Sequence, residues 1–146
     1  MRAVIQRVTR ASVCVDQAPV ATIKLGILAL LAVHKDDCES DAERLVERIL
    51  NYRIFADHED RMNLSLRDIE GELLLVPQFT LAANTQKGNR PSFTPAAPPE
   101  RGQQLFQHTL NLATSLWPRT QSGRFGADMQ VSLCNDGPVT FILETR

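Results

Sequence analysis

A Gly-Pro dipeptide, Gly137-Pro138, stands between two strongly strand-like segments and limits how the C-terminal part of this chain can pair. Before it, Met129, Val131 and Leu133 alternate with Gln130, Ser132 and Cys134; after it, Val139, Phe141 and Leu143 alternate with Thr140, Ile142 and Glu144. Period-two alternation predicts β-strands on both sides. Proline has no N–H to give a ladder, glycine tolerates nearly any φ, and an X-Pro bond is the one peptide that adopts cis at modest cost. Two readings stay open. Asp136-Gly137 is a hairpin turn with Pro138 opening the next strand, or the dipeptide aims its main-chain carbonyls in an unusual direction.

The first third of the chain predicts more strands, at Ala3 to Thr9, Ser12 to Val15, Val20 to Ile23 and Ile27 to Val33, with turn signals at Gln17 to Pro19 and at Gly26. Ser40 and Glu43 have capping-box spacing, and Ala42, Leu45, Val46, Ile49 and Leu50 mark an amphipathic helix ending near Tyr52. Ile54-Phe55 predicts a short strand, Asp57 to Asn63 a polar loop, and Glu72 to Leu81 a strand. Pro77 inside that strand argues for an edge or a bulge. Ala82 to Pro99, rich in Asn, Gly, Ser and Pro, is too long for a simple turn and is a candidate substrate loop. Pro98-Pro99-Glu100 opens a second helix, with Phe106, Leu110, Ala113 and Trp117 on one face and Pro118 as its stop. Thr120 to Phe125 reads as a polar connection. The expected class is α+β: one domain over residues 1–146, with a curved, barrel-like, mostly antiparallel or mixed sheet carrying two main helices.

Charge and composition exclude several function classes. With a formal net charge of −1, no global field draws the chain to nucleic acid or an anionic membrane, so RNA contact requires a local patch. The apolar run Leu25 to Val33 is too short to span a bilayer, and the N-terminus lacks a signal-peptide pattern, which predicts a cytoplasmic protein without a membrane partner. Cys14, Cys38 and Cys134 form no CxxC pair, and His34, His58 and His108 stand at no metal-ligand spacing, so neither a metal nor another cofactor is expected. No GxSxG elbow and no phosphate-cradling glycine loop is present.

Five segments remain: Ile5-Gln6-Arg7-Val8, Pro77-Gln78-Phe79-Thr80-Leu81, Lys87-Gly88-Asn89-Arg90-Pro91-Ser92-Phe93, Gly123-Arg124-Phe125-Gly126-Ala127-Asp128-Met129, and Asn135 to Thr140. In this order they closely resemble the D-aminoacyl-tRNA deacylases, over Met1 to about Leu143. The resemblance implies a homodimer that hydrolyses the ester between a D-amino acid and the terminal adenosine of tRNA, a proofreading reaction. It implies that Gly137-Pro138 is cis and enters the partner subunit's pocket, where main-chain carbonyls block the direction an L side chain would take. Discrimination by one immovable obstacle leaves D side chains free. Glycine has no side chain to reject, so glycyl-tRNA, including glycine mischarged on tRNA(Ala), is an expected side substrate.

The same resemblance makes Gln78, Phe79 and Thr80 the catalytic segment. A threonine hydroxyl is a poor nucleophile without a base beside it, so the tRNA's own 2′-hydroxyl is implied as assistant, with N–H groups near Phe79 and Thr80 on the developing oxyanion. Arg7 is either a surface cation or a clamp on the Gly-Pro carbonyls. Phe125 and Met129 are expected to line the pocket, and Lys87, Arg90 and Arg124 to meet tRNA phosphates. The family's usual serine is replaced here by Pro77, so no role of that serine carries over. Two other readings compete: a non-catalytic RNA-binding module, and a small-molecule D-amino-acid esterase using Thr80.

Overall fold

The computed structural model describes residues 1–145. In chain order its elements are β1 (Arg2–Val15), β2 (Ala18–Ile23), β3 (Gly26–Ala32), α1 (Glu39–Asn51), β4 (Phe55–Ala56), β5 (Met62–Leu64), β6 (Glu72–Pro77), a 3-10 turn (Phe79–Ala82), α2 (Pro99–Leu116), β7 (Thr120–Ser122) and β8 (Gln130–Glu144).

The long strand β1 organises the sheet. Along one edge it pairs antiparallel with β3 through Arg2 to Val8 and with β2 through Ala11 to Val15; along the other it pairs with β8 from Arg2 to Cys14. The β1–β2 turn is tight because Asp16 and Gln17 both take positive φ, at 50° and 65°, as the hairpin's twist demands. β6 lies parallel to β3, and β7 parallel to β6. The sheet is therefore mixed, and it curls until β7 meets β2. There the Gln121 amide donates from Nε2 to the Thr22 carbonyl at 2.6 Å and accepts from the Thr22 N–H at 3.0 Å, so one side chain bridges the nearly closed barrel as a ladder pair would.

Consecutive residues Ile27 and Leu28 of β3, and Leu73, Leu74 and Leu75 of β6, are all buried, so both faces of these strands are covered. Ile27, Leu73 and Leu75 pack toward Leu45 and Ile49 of α1 and Leu105 and Phe106 of α2. Leu28, Leu74 and Val76 join Val8, Val13 and Ile23 in a second cluster. Both predicted helical stripes pack into the core, although Leu110 and Trp117 are only partly buried. The N-terminus of α1 is set by Cys38, whose N–H donates to Asp41 Oδ2 at 3.0 Å, rather than by Ser40 and Glu43.

Five local expectations are corrected. The strands expected at Ala3 to Thr9 and at Ser12 to Val15 are one continuous strand, β1. The last two strands are one: β8 continues in the same antiparallel pairing with β1 on both sides of Gly137-Pro138, so Asp136-Gly137 is not a hairpin turn. The pairs Gln6↔Thr140 and Val8↔Asn135 leave Arg7 alone opposite residues 136–139, a wide bulge. The strand at Glu72 ends at Pro77, and Phe79–Ala82 forms the 3-10 turn. Met62 and Asn63, placed in a loop by sequence, belong to the strand Met62–Leu64, which pairs with Phe55–Ala56. Thr120–Ser122, read as connection, is the strand β7.

Candidate active site

A cleft of about 450 Å³ lies between the end of β6, the 3-10 turn, the start of α2 and the segment leading into β8. Pro77 explains how β6 gives way to this opening. Gln78 N–H still bonds the Leu31 carbonyl on β3 at 2.7 Å, so the adjacent Pro77 nitrogen faces the β7 side. There the last pair is Leu75↔Ser122, the Gly123 N–H still bonds the Leu75 carbonyl at 2.9 Å, and Pro77, with no N–H to give, ends the ladder. The expected edge or bulge is not found: β6 lies between β3 and β7 in unbroken register, and Pro77 is tolerated as its last residue. The chain then turns, with Leu81 N–H bonded to the Gln78 carbonyl at 3.1 Å. The N–H groups of Phe79 and Thr80, at the start of the turn, have no acceptor within it.

Gln78, Phe79, Phe125 and Met129 all line the cleft. Thr80 sits next on the turn, where its Oγ1 accepts from Gln78 Nε2 at 2.6 Å. No histidine, lysine or carboxylate hydrogen-bonds to it among the described residues. Phe79 is 57% exposed and packs at a tilt against Phe93, with ring centroids 5.1 Å apart. Met129 is held by its sulfur, which accepts from the Arg124 N–H at 3.3 Å. Gly123 makes that approach possible, since a Cβ there would lie 2.7 Å from the same sulfur. No titratable side chain appears on the cleft's lining. Perturbed titratable groups lie elsewhere: burial holds the His34 imidazole below its ordinary pKa, and hydrogen bonds from backbone N–H groups hold the Asp57 and Asp68 carboxyls below theirs.

Gly137-Pro138 does not line this chain's own cleft. The peptide bond is cis, and Gly137 has φ of +129°. Arg7 grips the loop from β1: its Nε donates to the Asp136 carbonyl at 3.1 Å, and its Nη1 donates to the Ile54 carbonyl at 2.8 Å. Asn135 closes the bulge from within, with Oδ1 accepting from Val139 N–H at 3.0 Å and Nδ2 donating to Thr140 Oγ1 at 2.9 Å. Lys87 and Arg90 occupy the exposed loop spanned by the Asn84↔Ser92 bridge, while Arg124 is on a separate segment after β7. Sequence reasoning assigned no role to Asn135 or Phe93, although both stand in the quoted segments. An Asx residue entering a Gly-Pro bulge was a readable signal for the first; the second depends on a distant contact.

The cleft thus has apolar walls, with the N–H groups that open the 3-10 turn beside it, and its lining carries no acid or base. The chain belongs to the D-Tyr-tRNA(Tyr) deacylase family, whose model matches residues 4–144. It is 58% identical over 146 residues to the D-aminoacyl-tRNA deacylase of Alkalilimnicola ehrlichii, covering 100% of this chain and 97% of that one. Against the D-aminoacyl-tRNA deacylase of Nitrosococcus oceani it is 55% identical over 144 residues, covering 99% and 93%. Among solved structures, one described as a c-Myc DNA unwinding element binding protein superposes with a TM-score of 0.94 at 40% identity, over 99% of this chain and 98% of that one. A probable eukaryotic D-amino acid tRNA deacylase, 16% identical with a TM-score of 0.87 and 98% coverage of both chains, shares the fold. The reaction class is therefore a hydrolase acting as a D-aminoacyl-tRNA deacylase. No helix among the described residues is long and apolar enough to cross a membrane, and no cluster of potential metal ligands occurs among them.

Proposed function

We propose that this chain works as a cytoplasmic homodimer that removes D-amino acids from tRNA, and that Gly137-Pro138 of one copy completes the cleft of the other. The supporting observation is the separation of these two parts. The Gly-Pro bulge is buttressed by Arg7 and Asn135, yet it lies off its own chain's cleft. The edge strand β8 pairs with β1 alone and presents Leu133, Phe141 and Ile142 to solvent, with Ile142 66% exposed. Such an open apolar edge is suited to a second copy.

In the completed site the main-chain carbonyls of the bulge meet the substrate's α-amino group and exclude an L side chain. Hydrolysis adds water across the ester, giving free amino acid and a tRNA 3′-terminal hydroxyl. The N–H groups of Phe79 and Thr80 stabilise the oxyanion, and the 2′-hydroxyl of the terminal adenosine assists attack. Gln78 orients this segment through its bond to Thr80. Arg7 supports the bulge, Phe125 and Met129 shape the cleft, and Lys87, Arg90 and Arg124 hold tRNA phosphates. Glycyl-tRNA passes the gate because it offers no side chain to exclude. The test compares D-tyrosyl-tRNA, L-tyrosyl-tRNA and free D-tyrosine ester under identical conditions. Rapid loss of the first alone supports the reading; turnover of the free ester at the same rate replaces it with a small-molecule esterase.

A further inference from the structure

Beside the cleft lies a second cavity of about 270 Å³, to which the deacylation chemistry gives no occupant. Phe106 and Phe125 line both cavities and form the wall between them, their centroids 6.1 Å apart. The lining changes character across that wall. On its far side stand Gln103 and Gln107, one turn apart on α2, with Ser122 at the end of β7 and Arg124 just after it. Gln107 Nε2 donates to Asn111 Oδ1 at 2.8 Å, which leaves the Gln107 carbonyl oxygen as an acceptor. Among the described residues, neither the Gln103 amide nor the Arg124 guanidinium has a partner.

We infer that this second cavity receives the nucleotide immediately preceding the terminal adenosine, the cytidine found there in every mature tRNA. Its base meets the Gln103 and Gln107 amides, and the phosphate joining it to the adenosine meets Arg124. The inference rests on the deacylase reading, which places the aminoacylated adenosine in the cleft. Because Phe106 and Phe125 border both cavities, an occupant of the cleft that is covalently continuous with a second ring has the second cavity as its adjoining site. The volume is below the range of about 300–1,000 Å³ typical of drug-sized sites, so it suits one small ring better than an extended ligand. Unpaired RNA ends are bound by aromatic faces together with hydrogen bonds to the base's Watson–Crick edge. Amides supply both the donors and the acceptors that a pyrimidine edge requires, and a guanidinium matches a phosphate. An amino-acid side chain is a poorer occupant, because the polar lining would lose its water without compensation.

The test uses two compounds that differ by one nucleotide, D-tyrosyl-adenosine and D-tyrosyl-cytidylyl-adenosine, together with D-tyrosyl-tRNA as reference. In the wild-type protein the dinucleotide is expected to give about tenfold higher kcat/KM than the adenosine, expressed in KM, the order of effect of one bound base. In Gln103→Ala/Gln107→Ala and in Arg124→Ala that ratio is expected to fall toward one. Arg124→Ala keeps the backbone N–H that bonds Met129, so the cleft wall is retained. Equal kcat/KM on the two compounds in the wild type, or a ratio that both variants retain, overturns the subsite and leaves the deacylase reading intact. Failure to hydrolyse any of the three substrates overturns the reading on which the subsite rests, and the subsite with it.

Discussion

Arg7 holds Asp136 twice, through the main-chain carbonyl at 3.1 Å from Nε and through the carboxylate, whose Oδ2 is 3.3 Å from the same nitrogen. The third bond, to the Ile54 carbonyl, ties the bulge to the segment after α1. The Arg7 side chain is 15% exposed and that of Asp136 44%, so the carbonyl bonds outweigh the screened ion pair. Arg7→Ala is expected to destabilise by about 2 kcal/mol, and Asp136→Asn by about 0.5 kcal/mol, because the latter keeps the main-chain acceptor. Urea midpoints give both values. The ratio of D- to L-tyrosyl-tRNA turnover is expected to fall in Arg7→Ala and to persist in Asp136→Asn.

Gly137 occupies a backbone conformation that side chains resist. A Cβ there would stand 2.7 Å from Val139 Cγ2 and 3.1 Å from Arg7 Nη2, at φ of +129°. Gly137→Ala is expected to cost about 1–3 kcal/mol for the backbone alone and to displace the Arg7 clamp. Turnover of D-tyrosyl-tRNA by this variant should fall well below that of Arg7→Ala, and calorimetry should register the lowered Tm.

Thr80 already accepts a hydrogen bond from Gln78, and among the described residues no base hydrogen-bonds to it. Thr80→Ala is expected to keep measurable deacylation, within about a factor of ten of wild type, since the main-chain N–H survives the substitution. Substrate ending in 2′-deoxyadenosine should be nearly inert with both proteins. A trapped acyl-threonine detected by mass spectrometry would instead establish covalent catalysis.

His34 supplies a pH dependence of stability. Burial holds its imidazole below the ordinary 6.5, and the nearby Asp37 carboxylate, 3.6 Å from Nδ1, only partly opposes this. As pH falls through about 6.5 the unfolded chain takes up a proton before the folded one does, so stability declines with decreasing pH over that window. His34→Gln is expected to flatten the profile of denaturation midpoints between about pH 7.5 and pH 5.

Strand character in the first third was readable because apolar alternation is local, as with Ala3 and Ile5, although the two strands expected there are the single strand β1; both helices were readable because Leu45, Ile49, Phe106 and Ala113 repeat at helical spacing. What sequence misplaced depends on partners far along the chain. Thr120–Ser122 is polar and only three residues long, and it becomes a strand because Leu73–Leu75 lies parallel to it. Pro77 does end its strand, after the Gly123 N–H has reached the Leu75 carbonyl, a place that only the pairing with β7 reveals. The cleft was legible only as separated segments, since Gln78, Phe125 and Met129 converge from different elements. Gly137-Pro138 was the hardest case, because its local signals fit a hairpin and only continued pairing with β1 reveals a bulge.

That bulge also sets a rule of counting. Four residues, 136–139, stand opposite Arg7, and beyond them Leu143 is fully buried while its neighbour Ile142 is 66% exposed. Side chains alternate faces along a strand, so a one-residue deletion within 136–139 that kept a four-residue detour would slide the pairing past Gln6 by one and turn Leu143 outward and Ile142 inward. Substitutions in this stretch act on a single contact; insertions and deletions act on every side chain after it. The length of the detour is thus as much a determinant of the fold as any residue in it.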